Sequence, residues 1–142
     1  RDIVSNAQAF AGALAAEGFD VLAESRGYTA SHQVLTRHGD LDSGAGAKAA
    51  QLLEDAGIIT NMNMLPGDTK AMTPSGLRLG VQELTRVGFS KEDMEVVASF
   101  YARVLLHGED PATVRNDVHE LKQHRQTIGY CFNEDERSGY PE

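Results

Sequence analysis

The segment from Ser90 to Gly108 constrains the fold of this chain more than any other. Ser90 can cap a helix, and Asp93, three residues later, completes a capping-box variant. Apolar residues then recur at helical spacing along one face, until Gly108 provides a stop signal. These residues are Met94, Val97, Phe100, Tyr101, Val104 and Leu105. A helix with such a stripe has to pack against other elements, so the segment predicts a layered fold.

The remaining elements alternate between helical and extended patterns. Helices are predicted over 2–17, from a cap at Asp42 or Ser43 to about Asp55, and from Asp110–Pro111 onward. Strands are predicted over 19–24, 32–36, 58–61 and 77–81, with a long loop over 63–75. The first two strands are close enough to pair antiparallel. This order predicts an α+β fold: a small, mainly antiparallel sheet covered by helices on one face.

Charge and cysteine content exclude several classes of function. The 142 residues carry 21 acids against 13 Lys and Arg, a formal charge of −8, and show no clustered basic face. This argues against a nucleic-acid partner. The sequence has no apolar run long enough to span a membrane and no signal-like start, so nothing supports a membrane or secreted protein. Cys131 is the single thiol, which excludes an internal disulfide and fits a cytoplasmic setting.

Metal binding is not expected from the histidines. His119 and His124 are five residues apart, a spacing that does not present both rings on one helical face, and His107 has no ligand motif around it. Asp68, in Pro66–Gly67–Asp68, is most simply explained as an Asx turn.

Arg78 is the strongest candidate for a functional residue. It stands among small and apolar residues in the run 73–80, where we expect a desolvated guanidinium that faces an anion. A carboxylate or phosphate ligand is one possibility, and an internal ion pair with Glu83 or Asp68 is the other. Together with His32 and Asn63, Arg78 brackets a loop whose polar groups can converge on a small anionic molecule.

Several segments, in order and at similar spacing over about residues 20–105, resemble the C-terminal small domain of serine hydroxymethyltransferase. They are Thr29–His32, Glu54–Asn63, Pro66–Asp68, Ser75–Gly80, Leu84–Phe89 and Ser90–Met94.

The resemblance implies the small domain of a fold-type I pyridoxal-phosphate enzyme, a homodimer in its complete form, that interconverts serine and glycine. Arg78 matches the arginine that clamps the substrate carboxylate in that family. Asn63 matches a residue that contacts tetrahydrofolate, and His32 matches a small-domain histidine with a supporting role. The resemblance further implies that the one-carbon unit is transferred to tetrahydrofolate.

The resemblance also implies that most of the cofactor site belongs to a large domain outside these residues. Lys48 and Lys70 lack the context of a Schiff-base lysine, so this chain alone is expected to be inactive. Helical spacing begins at the first residues. We therefore expect residues 1–142 to be a C-terminal small domain from a longer chain, with 1–17 as the end of an interdomain helix and 133–142 as a loose tail.

The loop before Arg78 departs from the family pattern and leaves other functions open. Residues 71–74, Ala-Met-Thr-Pro, replace a proline-aromatic-valine-threonine run. A folate-independent threonine-type transaldolase or aldolase, or an α-methylserine hydroxymethyltransferase, is one alternative. A non-catalytic small domain that partners a separate large domain is another, and a binding module in which Arg78 is a structural ion pair is the third.

Overall fold

The structure is a computed structural model and describes residues 1–125. Its helices are α1 (Asp2–Glu17), α2 (Ala45–Asp55), α3 (Gln82–Arg86), α4 (Lys91–Leu105) and α5 (Pro111–Gln123), and a short 3-10 turn spans Glu24–Arg26. Its strands are β1 (Asp20–Val21), β2 (Gln33–Arg37), β3 (Asn61–Asn63) and β4 (Gly76–Gly80). Cys131 and the predicted loose tail over 133–142 lie outside the described residues.

The four strands form one sheet in the order β1-β2-β4-β3, and every neighbouring pair is antiparallel. Because side chains alternate across a strand, each strand presents one set of residues to each face. Val34 on β2 and Leu77 and Leu79 on β4 are buried on the inner face. Leu35 and Arg78, which are register partners, lie on the outer face.

The helices cover the inner face and supply most of the core. Helices α1 and α4 pack against each other, and Phe10 meets Tyr101 edge to face with ring centroids 5.4 Å apart. Helix α2 approaches β4 so closely that a side chain on Gly46 would collide with the backbone of Gly76. The predicted α+β fold, with an antiparallel sheet covered on one face, is confirmed.

The predicted caps and boundaries had mixed outcomes. Ser90 and Asp93 form the predicted capping box of α4, and Asp110 caps α5. Helix α2 instead begins after Gly44, which has no side chain to cap it. Asp42 bonds to Thr69 and Lys70, while the Ser43 hydroxyl accepts from the N–H of Ala45, the first residue of the helix, at 3.3 Å.

The strand limits also shifted, and one helix was missed. β1 ends at Val21, where the chain turns into the 3-10 segment, and β3 begins at Asn61 rather than at residue 58. The five-residue helix α3 was not predicted, since it is too short to show helical periodicity.

Candidate functional site

Arg78 lies at the centre of the outer face of the sheet. Its register partners are Leu35 on β2 and Asn61 on β3, so these two side chains flank it on the same face. Strand parity explains the placement, because Leu77 and Leu79 occupy the buried positions on either side. Arg78 itself is exposed.

The expectation of a desolvated Arg78 is therefore wrong for the described part of the chain. The apolar neighbours in sequence point to the opposite face and do not surround the guanidinium. The internal ion pairs considered as an alternative are also not formed, because Glu83 bonds to Arg86 at 2.9 Å and Asp68 bonds to other groups. Within residues 1–125, Arg78 has no carboxylate partner.

Asn63 shares the outer face with Arg78. It pairs in register with Gly76, two residues before Arg78, which makes the two side chains diagonal neighbours on adjacent strands. Its side-chain amide donates to the carbonyl oxygen of Met64 at 2.6 Å. The structure thus brings together two of the three polar residues that the sequence singles out.

His32 is the third of these residues, and it lies at the other end of β4. Its carbonyl oxygen accepts from the backbone N–H of Val81 at 3.4 Å, just beyond the pairing of Gln33 with Gly80. The side chain is exposed and makes no hydrogen bond with another described residue. His32 is therefore not brought together with Asn63.

Sequence analysis missed the connection between Asp42 and Asp68, which join two loops through hydrogen bonds. The carboxylate of Asp68 accepts from the backbone N–H groups of Asp42 (2.8 Å), Leu65 (2.8 Å) and Ser75 (3.0 Å), and from the Ser75 hydroxyl (2.8 Å). The carboxylate of Asp42 accepts from the N–H and hydroxyl of Thr69 and from the N–H of Lys70. We call this pair of acids and their donors the carboxylate latch.

The latch corrects the prediction of a simple Asx turn at Asp68, since Asp42 lies 26 residues away. Desolvation opposes ionisation of Asp68, but the hydrogen bonds from Leu65, Ser75 and Asp42 outweigh it and hold its pKa well below the usual value. The Thr69 hydroxyl and the Lys70 N–H likewise lower the pKa of Asp42. Both groups are therefore charged acceptors at neutral pH. No local sequence signal pairs these two acids.

A cavity of about 500 Å³ lies between residues 57–61, the end of β4, and helices α4 and α5. Its lining includes Phe100, Tyr101, Val118 and Leu121, and Arg78 and Lys122 lie at its edge. Burial raises the pKa of Tyr101, so its phenol stays protonated. The hydroxyl of Thr60, which also lines this space, is buried without a hydrogen-bond partner among the described residues.

Residues 1–125 contain neither a cluster of metal ligands nor a buried lysine. No group of three or more His, Cys, Asp or Glu side chains there is placed to hold a metal ion. The four lysines of the sequence have exposed side chains, not the desolvated setting that activates an amine toward carbonyl compounds. They are Lys48, Lys70, Lys91 and Lys122. None of the described helices is both long enough and apolar enough to cross a bilayer.

The sequence is similar to that of a known protein family over most of its length. The family model of serine hydroxymethyltransferase matches residues 1–101. The serine hydroxymethyltransferase of Thermococcus kodakarensis is 53% identical over 133 residues, which are 92% of this chain and 31% of the relative. That of Pyrococcus abyssi is 51% identical over 135 residues, covering 94% of this chain and 32% of the relative.

A solved structure shows the same fold. L-threonine transaldolase from Pseudomonas fluorescens superposes with a TM-score of 0.80 at 33% sequence identity. The match covers 96% of this chain and 32% of the transaldolase chain. The chain thus spans about a third of the length of the relatives that it matches.

Proposed function

Because this chain belongs to the serine hydroxymethyltransferase family, we propose that it forms the C-terminal part of an enzyme that interconverts serine and glycine. In this proposal the enzyme uses pyridoxal phosphate and transfers the one-carbon unit to tetrahydrofolate. The identities of 53% and 51% to two serine hydroxymethyltransferases support this activity over that of the 33% identical transaldolase.

In the proposed enzyme, Arg78 clamps the carboxylate of the amino-acid substrate. The single observation that carries this role is that Arg78 lies on the uncovered sheet face without an acidic partner among residues 1–125. A guanidinium offers two parallel N–H donors that match the two oxygens of a carboxylate. Such a clamp fixes the orientation of the substrate α-carbon, and orientation is a large part of catalytic rate enhancement.

In this proposal most of the cofactor site, including its covalent anchor, lies outside the described residues of this chain. Their lysines are exposed, so none fits a covalent anchor for an aldehyde, and we assign that anchor to the two thirds of the relatives that this chain does not match. When bound, pyridoxal phosphate supplies an electron sink for bond breaking at the α-carbon. The contribution of this chain is to bind and orient the carboxylate end of the substrate, and the chain alone is inactive in this proposal.

A folate-independent transaldolase is the second candidate, and the structural match to L-threonine transaldolase favours it. Asn63 bears on this choice, because we assign it to the folate site when folate is used. It lies on the same face as Arg78, two register positions away. His32 has no assigned contact with substrate and is proposed to support the far end of β4.

The experiment that tests the clamp is substitution of Arg78 in the complete enzyme. Arg78→Lys keeps the positive charge but loses the bidentate geometry. We expect the glycine-induced change in cofactor absorbance to need at least 100-fold more glycine. The response to methylamine, which has an amino group but no carboxylate, should stay within twofold of wild type.

Arg26→Lys is the matched control, since Arg26 is also exposed and lies in the 3-10 turn, outside the strands of the sheet. It should behave as wild type with both amines. An unchanged glycine response in Arg78→Lys would remove the assignment of the carboxylate clamp.

A further inference from the structure

The carboxylate latch connects the two loops that precede α2 and β4, and it ends directly beside the strand that carries Arg78. We propose that Asp68, held in place by Asp42, is a positioning residue for the substrate carboxylate, and this proposal rests on the proposed function. It acts by fixing the start of β4, and hence the face of the sheet on which the Arg78 side chain lies and its position along the strand. Asp68 itself does not contact the substrate in this proposal.

Ser75 is the point at which the latch fixes β4. Its N–H and its hydroxyl both donate to Asp68, and its carbonyl oxygen accepts from the backbone N–H of His38 at 2.9 Å. The side chain is completely buried. The preceding carbonyl oxygen, of Pro74, accepts from the N–H of Gly46 at 3.1 Å. Each polar group of the last residue before β4 therefore has a defined partner.

Fixing Ser75 matters for Arg78 because a strand has a side-chain period of two. A slip of one residue would exchange the two faces of β4, moving Arg78 inward and Leu77 outward. Ser75 and Leu77 are both buried on the inner side, and Arg78 is three residues after Ser75. An anchor at Ser75 thus sets which face the guanidinium occupies.

The carboxylate latch also includes Leu65, which lies two residues after Asn63. The N–H of Leu65 donates to the same Asp68 oxygen that accepts from Ser75. Leu65 is buried, and its side chain fills the space beside Gly76 where a Cβ would otherwise lie. Asn63 stands two residues before Leu65. One carboxylate therefore holds both ends of the loop that separates Asn63 from β4.

Asp42 keeps Asp68 from moving with its own loop. It donates its N–H to Asp68 and accepts three hydrogen bonds from Thr69 and Lys70, the residues that follow Asp68. Asp42 adopts a left-handed backbone with φ of 56°, a conformation that is uncommon outside Gly, Asn and Asp. The arrangement is reciprocal, so neither loop can shift without breaking bonds to the other.

The test uses the complete enzyme with its cofactor and the variant Asp68→Asn. An amide is nearly the same size but turns an N–H₂ donor toward at least one of the N–H or O–H donors of the latch. We expect the glycine concentration for half-maximal absorbance change to rise at least tenfold, while the value for methylamine stays within twofold. A role in general stability would weaken both responses equally, and that result would overturn the proposal.

Asp40→Asn is the matched control. Asp40 is exposed, lies two residues from Asp42, and its side chain makes no hydrogen bond with another described residue. It should match wild type for both amines. If Asp68→Asn does not fold, Ser75→Ala tests the proposal instead. This variant removes one hydroxyl donor, 2.8 Å from Asp68, and should give a smaller loss of glycine response with the methylamine response unchanged. A Ser75→Ala enzyme indistinguishable from Asp40→Asn would refute the positioning role.

The failure of this inference is distinguishable from failure of the proposed function. If Arg78→Lys loses glycine selectively but Asp68→Asn behaves as wild type, the clamp stands and the latch has no part in it. If Arg78→Lys responds normally to glycine, the clamp is wrong and the latch has nothing to position.

Discussion

Arg78 and His38 show how strand position decides the surroundings of a polar side chain. Arg78 points to the outer face and is exposed. His38, directly after β2, is half-buried, and its Nε2 lies 2.8 Å from the Thr36 hydroxyl while its ring meets Phe19 edge-on. Burial lowers the pKa of His38 from 6.5 to about 4, against the opposing influence of Asp20. The imidazole is therefore neutral in the folded protein near pH 7.

The neutral, half-buried imidazole of His38 predicts that the folded protein loses stability in acid. Between pH 6.5 and about 4 the unfolded state binds a proton at His38 that the folded state does not, so stability falls as the pH is lowered through this window. The full effect is on the order of 3 kcal/mol. We expect His38→Gln to flatten the dependence of the unfolding midpoint on pH in this range.

His107→Gln provides the control for that measurement, since His107 is exposed near the end of α4. It should keep the wild-type slope. Identical slopes for the His38 variant and wild type would show that His38 is not the group responsible.

Among the secondary-structure elements, helices α4 and α5 are joined at their ends by one acid. Asp93 accepts from the N–H and hydroxyl of Ser90 as part of the capping box, and also from two nitrogens of Arg125, beyond the end of α5. The bond to Arg125 is the main reason that the pKa of Asp93 is lowered. The same helices are also linked by Arg103, which pairs with Glu109 and Asp117.

Removing the charge of Asp93 should loosen the start of α4. Hydrogen bonds to a charged group contribute about 1.5–3 kcal/mol, so we expect Asp93→Asn to cost about 2 kcal/mol locally. Amide hydrogen exchange over residues 93–97 should accelerate by roughly 30-fold. Glu95→Gln, at an exposed position of α4 without a hydrogen bond to another described residue, should leave exchange unchanged. Equal exchange in both variants would contradict the proposed capping role.

In the molecule as a whole, helices cover one face of the sheet and leave residues of the other face exposed. The helices bury its inner face, while on the outer face Gln33, Asn61 and Arg78 are exposed and Arg37 pairs with Asp20 at 3.3 Å. The chain spans about a third of its relatives, 31% of the one from Thermococcus kodakarensis. In the proposed enzyme, the outer face is where the rest of the protein and the substrate meet this chain.

The complete enzyme is needed to distinguish the hydroxymethyltransferase activity from the transaldolase activity. We expect tetrahydrofolate to change the cofactor absorbance of the glycine-loaded complete enzyme. Asn63→Ala should weaken this response at least tenfold and leave glycine binding within twofold. Asn116→Ala, at an exposed position on α5, is the control. A wild-type enzyme that does not respond to tetrahydrofolate would favour the transaldolase activity.

Local sequence patterns predicted four of the five described helices and the class of fold. Helices α1, α4 and α5 were predicted because caps, stop residues and apolar spacing act over three or four neighbouring residues. The antiparallel pairing of β1 with β2 followed from the short link between them. Arg78 and Asn63 were singled out from the sequence, and the structure places them on one face, while their binding roles stay predictions.

By itself, then, the sequence determined the α+β class and the family, and it singled out Arg78 and Asn63. Only the tertiary structure decided that Arg78 is exposed and that Asp42 and Asp68 bond across 26 residues. The physical reason is that strand parity is fixed by pairing with a partner strand, and the donors of a carboxylate by the path of distant loops. Neither the parity of β4 nor the set of donors to Asp68 can be read from the few residues next to them in the sequence.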